Sequence, residues 1–226
     1  PDAGTRVRKV NPLVEWWRTV GSGPPERPIL VIAGTDDPDA ISELPQDYAA
    51  GWRAEATPTG RVSDYLNVPV HTFSDELPEH DVLLVGEVGR GLTTLAARIA
   101  VGMFGAEPQL VVGHGSGISD VRWMDKVQQV RDAPLSEPPP ALDALARLIA
   151  DSAVPVLLDG VFSAAAAALA EQPLAQAPVT GDEPAGRFLL ERADVPVWGL
   201  TGIGPGEGLG ALAGLAHLRL ALLAAD

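Results

Sequence analysis

Val82-Leu-Leu-Val-Gly-Glu-Val-Gly-Arg-Gly-Leu-Thr-Thr94 runs a short apolar segment into three glycines, Gly86, Gly89 and Gly91, and then into helix-like sequence. The apolar part, from Asp81 to Val85, reads as a strand, and the glycines let backbone N–H groups approach a ligand closely. Two further segments have the same character. Gly113-His-Gly-Ser-Gly117 follows Leu110-Val-Val112, and Gly202-Ile-Gly-Pro-Gly-Glu-Gly-Leu-Gly210 leads into an Ala/Leu-rich stretch. The first and third segments each hold one carboxylate, Glu87 and Glu207. A phosphate cradle with a placed base is the natural reading, which makes this chain a candidate enzyme.

Working outward, the glycine turn at 86–94 leads into a helix from about Thr93 to Phe104. Upstream, Asn11 caps a helix to Val20 with Pro12 in its first turn. Pro28 to Ala33 is a buried strand ending at Gly34-Thr-Asp-Asp37. Residues 38–80, rich in Pro, Gly and charge, are expected to form a lid or an irregular segment. Downstream, strands are expected at Gln109–Val112, Pro155–Leu158 and Pro196–Leu200. Helices are expected at Ile118–Asp132, Ala141–Ser152, Ser163–Glu171 and Leu209–Ala225. This alternation predicts a single α/β domain over residues 1–226, a Rossmann-like three-layer sandwich with a mainly parallel sheet of about five strands. Ligands in such sheets bind beyond the C-terminal strand ends. Asp36, Asp37, Glu87, the 113–117 glycines, Asp159 and the 202–210 segment should therefore converge, with Glu87 and Glu207 at the same end of the sheet.

Composition narrows the function. With 226 residues and 46% apolar content the chain can bury a good core. The absence of cysteine excludes a disulfide framework and a cysteine nucleophile. A net charge of −14 opposes binding to nucleic acid or an anionic membrane, although local amides override that field at short range. A cytoplasmic protein is expected. No metal and no cofactor are called for, since His71, His80, His114 and His217 lack ligand spacing.

Each motif also has a plainer reading. Gly86–Thr94 lacks the Gly-Lys-Ser/Thr of a Walker loop. As a dinucleotide fingerprint it offers only Gly89-Arg-Gly91, with Thr94 in place of the third glycine. A dinucleotide-dependent oxidoreductase is therefore the weaker alternative. Ser116 fails as a nucleophile elbow because His114 and Ile118 stand where glycines are needed. Thr93 and Thr94 either cap a helix or donate to a phosphate. Asp159 either orients a ligand hydroxyl or caps the next helix at Ser163. Trp16 and Trp17 read as packing and interface residues, and Glu171, Asp182 and Glu183 as solvated charge. The five alternating glycines from 202 to 210 imply very close approach to a ligand or to another segment.

Taken together, these segments resemble the nicotinate-nucleotide:dimethylbenzimidazole phosphoribosyltransferases of cobalamin lower-ligand synthesis. Val85-Gly-Glu-Val-Gly-Arg-Gly-Leu-Thr-Thr94 is similar to that family's V-G-E-x-G-x-x-N-T-T. Val111 to Gly117, with Lys126-Val-Gln-Gln-Val-Arg131, resembles V-V-G-x-G followed by K-V-x-x-V-R. Pro155 to Gly160 with Ser163 to Ala166 resembles P-V-L-L-D-G-F followed by S-x-A-A, and Gly206 to Ala211 resembles G-E-G-S-G-A. The likeness covers roughly residues 81–225, with a fainter one at Ala33–Asp36 and Ser42–Gln46. It implies transfer of a phosphoribosyl group from nicotinate mononucleotide to an aromatic base of the benzimidazole type, giving an α-ribazole phosphate. It assigns the base to Glu207, and to Glu87 the ribose hydroxyls or help with the proton. Amides at Gly89, Gly91, Gly113 and Gly115, with Lys126, would hold the phosphate. Gly86, Thr93, Thr94, Ser116, Asp159, Gly206 and Gly208 complete the expected substrate-binding set. Leu92 replaces the family's Asn, and Pro178-Val-Thr-Gly-Asp-Glu-Pro184 replaces its P-S-H-x-S-A-E. These departures, with the short chain, leave a catalytically silent paralogue as the alternative. A homodimer is expected from the apolar last helix and the tryptophan pair.

Overall fold

The computed structural model describes residues 12–21, 23–73, 76–204 and 206–225. In chain order the elements are α1 (Pro12–Val20), β1 (Pro28–Gly34), α2 (Tyr48–Gly51), a 3₁₀ turn (Ala54–Ala56), α3 (Pro58–Leu66), β2 (Val70–Thr72), β3 (Val82–Val88), α4 (Leu92–Phe104), α5 (Pro108–Val111), α6 (Asp120–Asp132), α7 (Pro140–Ala150), β4 (Val156–Leu158), α8 (Val161–Ala170), β5 (Ala175–Gln176), α9 (Pro184–Arg192) and α10 (Leu209–Ala225). Among the described residues, five parallel strands form one sheet in the order β2-β1-β3-β4-β5. Helices cover both faces, as the α/β alternation predicts.

Strand alternation sorts the core into two layers. Ile29, Val31, Leu83, Val85, Val156 and Leu158 face the side built on α4, α7, α8 and α9. Leu30, Ile32, Val82, Leu84 and Leu157 face the side built on α1, α3 and α10. α8 is alanine-rich because it lies directly on the sheet: Ala164 to Ala168 are all buried, and small side chains bring the helix close. Among the described residues no helix is long and apolar enough to cross a membrane.

Three expectations need correction. Gln109–Val112 is not a strand. Pro108 opens a single helical turn, and Val111 and Val112 are buried among the helices, with the Val112 carbonyl accepting from the Trp123 indole at 2.9 Å. Pro196–Leu200 is not a strand either. Only Ala177 and Val197 bridge, because Pro196 lacks an N–H to extend the ladder, and the fifth strand is the two-residue β5 instead. Residues 38–80 are not merely irregular, since they supply α2, α3 and the edge strand β2. α3 is legible after the fact: Thr57 caps it and Pro58 occupies its first position. The expected Asn11 cap lies outside the described residues. Trp17 is buried, and Trp16 stacks edge-on against Trp17 and Trp198, so the tryptophan pair packs inside the fold.

Candidate active site

The same alternation that builds the core aims the chemistry at the end of β3. Gly86 follows the parity of Leu84 and faces the α10 side, and Glu87 follows Val85 and faces α8. Gly86 must be glycine. A Cβ there would lie 2.4 Å from the Gly208 nitrogen, so the 206–210 loop lies backbone-to-backbone on the strand. Glu87 sends its carboxylate to the start of α8. Oε1 accepts the Val161 N–H at 2.9 Å, and Oε2 accepts those of Phe162 and Ser163 at 2.7 and 2.8 Å. A carboxylate at a helix N-terminus satisfies orphan amides and faces the positive end of the dipole. Burial nevertheless pushes Glu87 up to about 8, against the pull of those three donors.

Asp159, at the end of β4, performs the matching task on the opposite face. Its Oδ1 accepts the Gly206 N–H at 2.9 Å, and its Oδ2 accepts the Gly210 N–H at 2.8 Å in the first turn of α10. It is fully buried, and burial pushes it up to about 7. It thus fastens α10, and Glu87 rather than Asp159 serves the amides around Ser163.

Between these fixed points Glu207 projects its side chain. Its N–H donates to the Glu87 carbonyl at 2.9 Å, and its own carbonyl accepts from Thr59 Oγ1 at 2.7 Å. Its Oε1 accepts from the Tyr48 hydroxyl at 2.8 Å. Tyr48 is pushed up to about 12, first by burial and then by this hydrogen bond, so it stays a donor. Tyr48 sits in the segment that looked irregular, and its role escapes sequence reading. The nearest signal was the Ser42–Gln46 likeness beside it.

Lys126 is buried beneath the second glycine segment. Its Nζ donates to Thr93 Oγ1 at 2.8 Å and to the Gly113 carbonyl at 3.0 Å, and burial lowers its pKa. Glu183, read as solvated charge, is instead drawn inward: its Oε1 accepts the Gly115 N–H at 2.6 Å. A carboxylate acceptor makes this hydrogen bond charge-assisted, which is the physical reason. Arg90, given no role by sequence reading, is buried and donates to the carbonyls of Ala40, Ser42 and Leu44. It ties the 40–44 segment to the glycine turn, with Asp36 accepting the Arg90 and Ala49 amides.

Three chambers lie side by side along this sheet edge. One of about 560 Å³ is lined by Pro45, Tyr48, Trp52, Pro58 and Glu207 among others. A middle one of about 260 Å³ is lined by Glu87, Gly89, Gly91, Thr93, Gly115, Ser116, Gly206 and Glu207 among others. A third of about 370 Å³ shares Glu87, Thr93, Gly115 and Gly206 with the middle one and adds Thr180, Asp182 and Glu183. Of the expected site residues, eight therefore meet in the middle chamber. Gly86, Thr94, Gly113, Lys126, Asp159 and Gly208 line none of the three chambers and lie behind this lining. Ser116 also bonds Ser42 Oγ and the Glu43 amide. The Thr94 hydroxyl is buried without a partner among the described residues.

A protein-family model described as phosphoribosyltransferase (DBI_PRT) matches residues 61–226. The chain belongs to this family. Curated relatives named nicotinate-nucleotide–dimethylbenzimidazole phosphoribosyltransferase include one from Mycobacterium leprae, 38% identical over 169 residues covering 64% of this chain and 48% of the relative. Another, from Corynebacterium glutamicum, is 40% identical over 166 residues covering 63% and 46%. The chain thus spans about half the length of these relatives. Two solved structures from Thermus thermophilus share the fold. One, titled CobT, has a TM-score of 0.73 at 19% identity, over 94% of this chain and 95% of that one. The other, titled as the phosphoribosyltransferase itself, has a TM-score of 0.78 at 20% identity, over 97% and 90%. Family membership sets aside the dinucleotide oxidoreductase reading.

Proposed function

We propose that this phosphoribosyltransferase-family chain transfers the phosphoribosyl group of nicotinate mononucleotide to a benzimidazole-type base, giving an α-ribazole phosphate. The observation that carries the reading is the position of Glu207. It lines both the aromatic-walled chamber of Tyr48 and Trp52 and the chamber of glycine amides. The flat base enters the first chamber, where aromatic walls favour a ring. Its nitrogen lone pair attacks C1′ of the ribose. The C1′–nitrogen bond of the nucleotide breaks, and its electron pair leaves with nicotinate, whose pyridinium nitrogen is thereby neutralised and needs no acid. The proton on the other benzimidazole nitrogen goes to Glu207, a role worth about 10²–10⁴ in rate. Tyr48 is a positioning residue that fixes Oε1 of this base. The ribose phosphate lies along Gly89, Gly91, Thr93 and Gly115, with Lys126 beneath, and Glu87 lines the passage between them.

Incubation of the protein with nicotinate mononucleotide and dimethylbenzimidazole should release nicotinate and form one equivalent of α-ribazole phosphate, separable by chromatography. Binding of both ligands without turnover would replace this reading with the silent paralogue. One observation favours that second reading: a carboxylate, Glu183, sits on the Gly115 amide. The proposal includes cytoplasmic action, small-molecule ligands in place of nucleic acid or membrane, no metal or cofactor, and a homodimer. Leu220 and Leu223, exposed on the outer turns of α10, give self-association an apolar surface. A monomeric mass by sedimentation at micromolar concentration would remove the dimer.

A further inference from the structure

Glu183 reaches across the third chamber to the second glycine segment. Its Oε1 takes the Gly115 N–H at 2.6 Å. It also presses on the same glycine loop one step earlier, where a Cβ at Gly113 would lie 2.4 Å from Oε2. Oε2 is buried and has no hydrogen-bond partner among the described residues. Beneath the loop lies the Lys126 ammonium, whose charged form Glu183 favours. A glycine amide over a buried ammonium is the donor set that takes a phosphate oxygen. Here an internal carboxylate has taken the Gly115 amide, leaving one oxygen unsatisfied, while the ammonium bonds Thr93 and the Gly113 carbonyl.

We propose that Glu183 is a tethered anion that competes with the substrate's phosphate for the Gly115–Lys126 cradle, so that a phosphorylated ligand binds only by displacing it. The inference rests on reading the Thr93–Gly115 wall shared by the middle and third chambers as the phosphate end of the proposed site, and not on the transfer reaction itself. It makes Glu183 a specificity-determining residue. While its carboxylate is in place, a phosphate dianion meets a like charge and an occupied donor, and a ligand lacking phosphate meets neither.

The test is calorimetric titration of the full chain, E183Q and E183A with three probes: inorganic phosphate, nicotinate mononucleotide and nicotinate riboside. E183A should bind phosphate and the mononucleotide at least about tenfold more tightly, the scale of one charge-assisted hydrogen bond, and E183Q, which loses the charge but keeps an acceptor for the Gly115 amide, by a smaller factor, with riboside affinity changed by less than about twofold in both. Unchanged phosphate affinity overturns the proposal, and so does an equal gain for the riboside, which would mean only that the chamber had opened. If the variants fail to fold, the unaltered chain decides. It should bind mononucleotide and riboside within about threefold of each other, whereas a cradle open to phosphate separates them by about tenfold or more. Tighter phosphate binding in the variants with no transfer by any form would refute the proposed reaction and leave this inference standing. Transfer by the unaltered chain with phosphate affinity indifferent to Glu183 would do the reverse.

Discussion

At Glu207 backbone and side chain have separate tasks. The backbone, at φ 55°, adopts a left-handed conformation unusual for a non-glycine, held by Glu87 and Thr59. The side chain touches only Tyr48 among the described hydrogen bonds. Glu207→Gln keeps the acceptor for Tyr48 and the backbone contacts, so stability should stay within about 1 kcal/mol by thermal melting. Transfer should fall by at least about 10², because the amide cannot take a proton. Tyr48→Phe should lower kcat by about tenfold and leave KM nearly unchanged, since it frees the base while keeping the aromatic ring that walls the chamber. Glu87 behaves oppositely. Its carboxylate is consumed by three α8 amides, and Glu87→Gln turns an NH₂ toward at least one of them. A loss of about 1–3 kcal/mol is expected in denaturant titration, before any effect on ligand is measured.

At the scale of elements, the glycine run 202–210 separates into two halves. Gly208 has φ 86°, and a Cβ there would lie 2.7 Å from Leu30 Cδ2, whereas a Cβ on Gly204 would meet nothing within 4 Å. Gly208→Ala should therefore destabilise the protein by about 1–3 kcal/mol, and Gly204→Ala by less than about 0.5, read from paired melting curves. The composition of this run signals a close approach but does not distinguish a ligand from a neighbouring strand. The strand β3 and helices α4, α6, α7, α8 and α10 were legible because apolar runs and glycine or proline boundaries agree there. Parity along β3 even encodes that Gly86 and Glu87 face opposite layers. The misreadings at 109–112 and 196–200 share one cause. Short apolar runs beside proline do not reveal whether a sheet edge is available, and that is decided by tertiary packing. Tyr48 and Glu183 escaped for a related reason, since each gains its role from a partner far away in sequence, at 207 and 115.

For the whole molecule, two buried carboxyls set the pH response. Glu87 rises from 4.5 to about 8 and Asp159 from 3.8 to about 7. Both hold protons more tightly folded than unfolded, so their contribution to stability is complete below about pH 4 and is lost as pH rises through 7 and 8. Melting temperature should therefore decline between pH 5 and pH 8.5, and the decline should be shallower in Glu87→Gln. The same two carboxyls also reach in opposite directions from neighbouring strands, Glu87 to the start of α8 and Asp159 to the start of α10. The two helical layers are thus rooted side by side in one strip of sheet, and neither root can be withdrawn without disturbing β3 or β4. In hydrogen–deuterium exchange the amides of Phe162 and Ser163 in one layer and of Gly206 and Gly210 in the other should open as one cooperative unit. They should share a common exchange free energy and respond together to denaturant, even though Gly206 lies in a loop whose composition suggests fast, independent fraying.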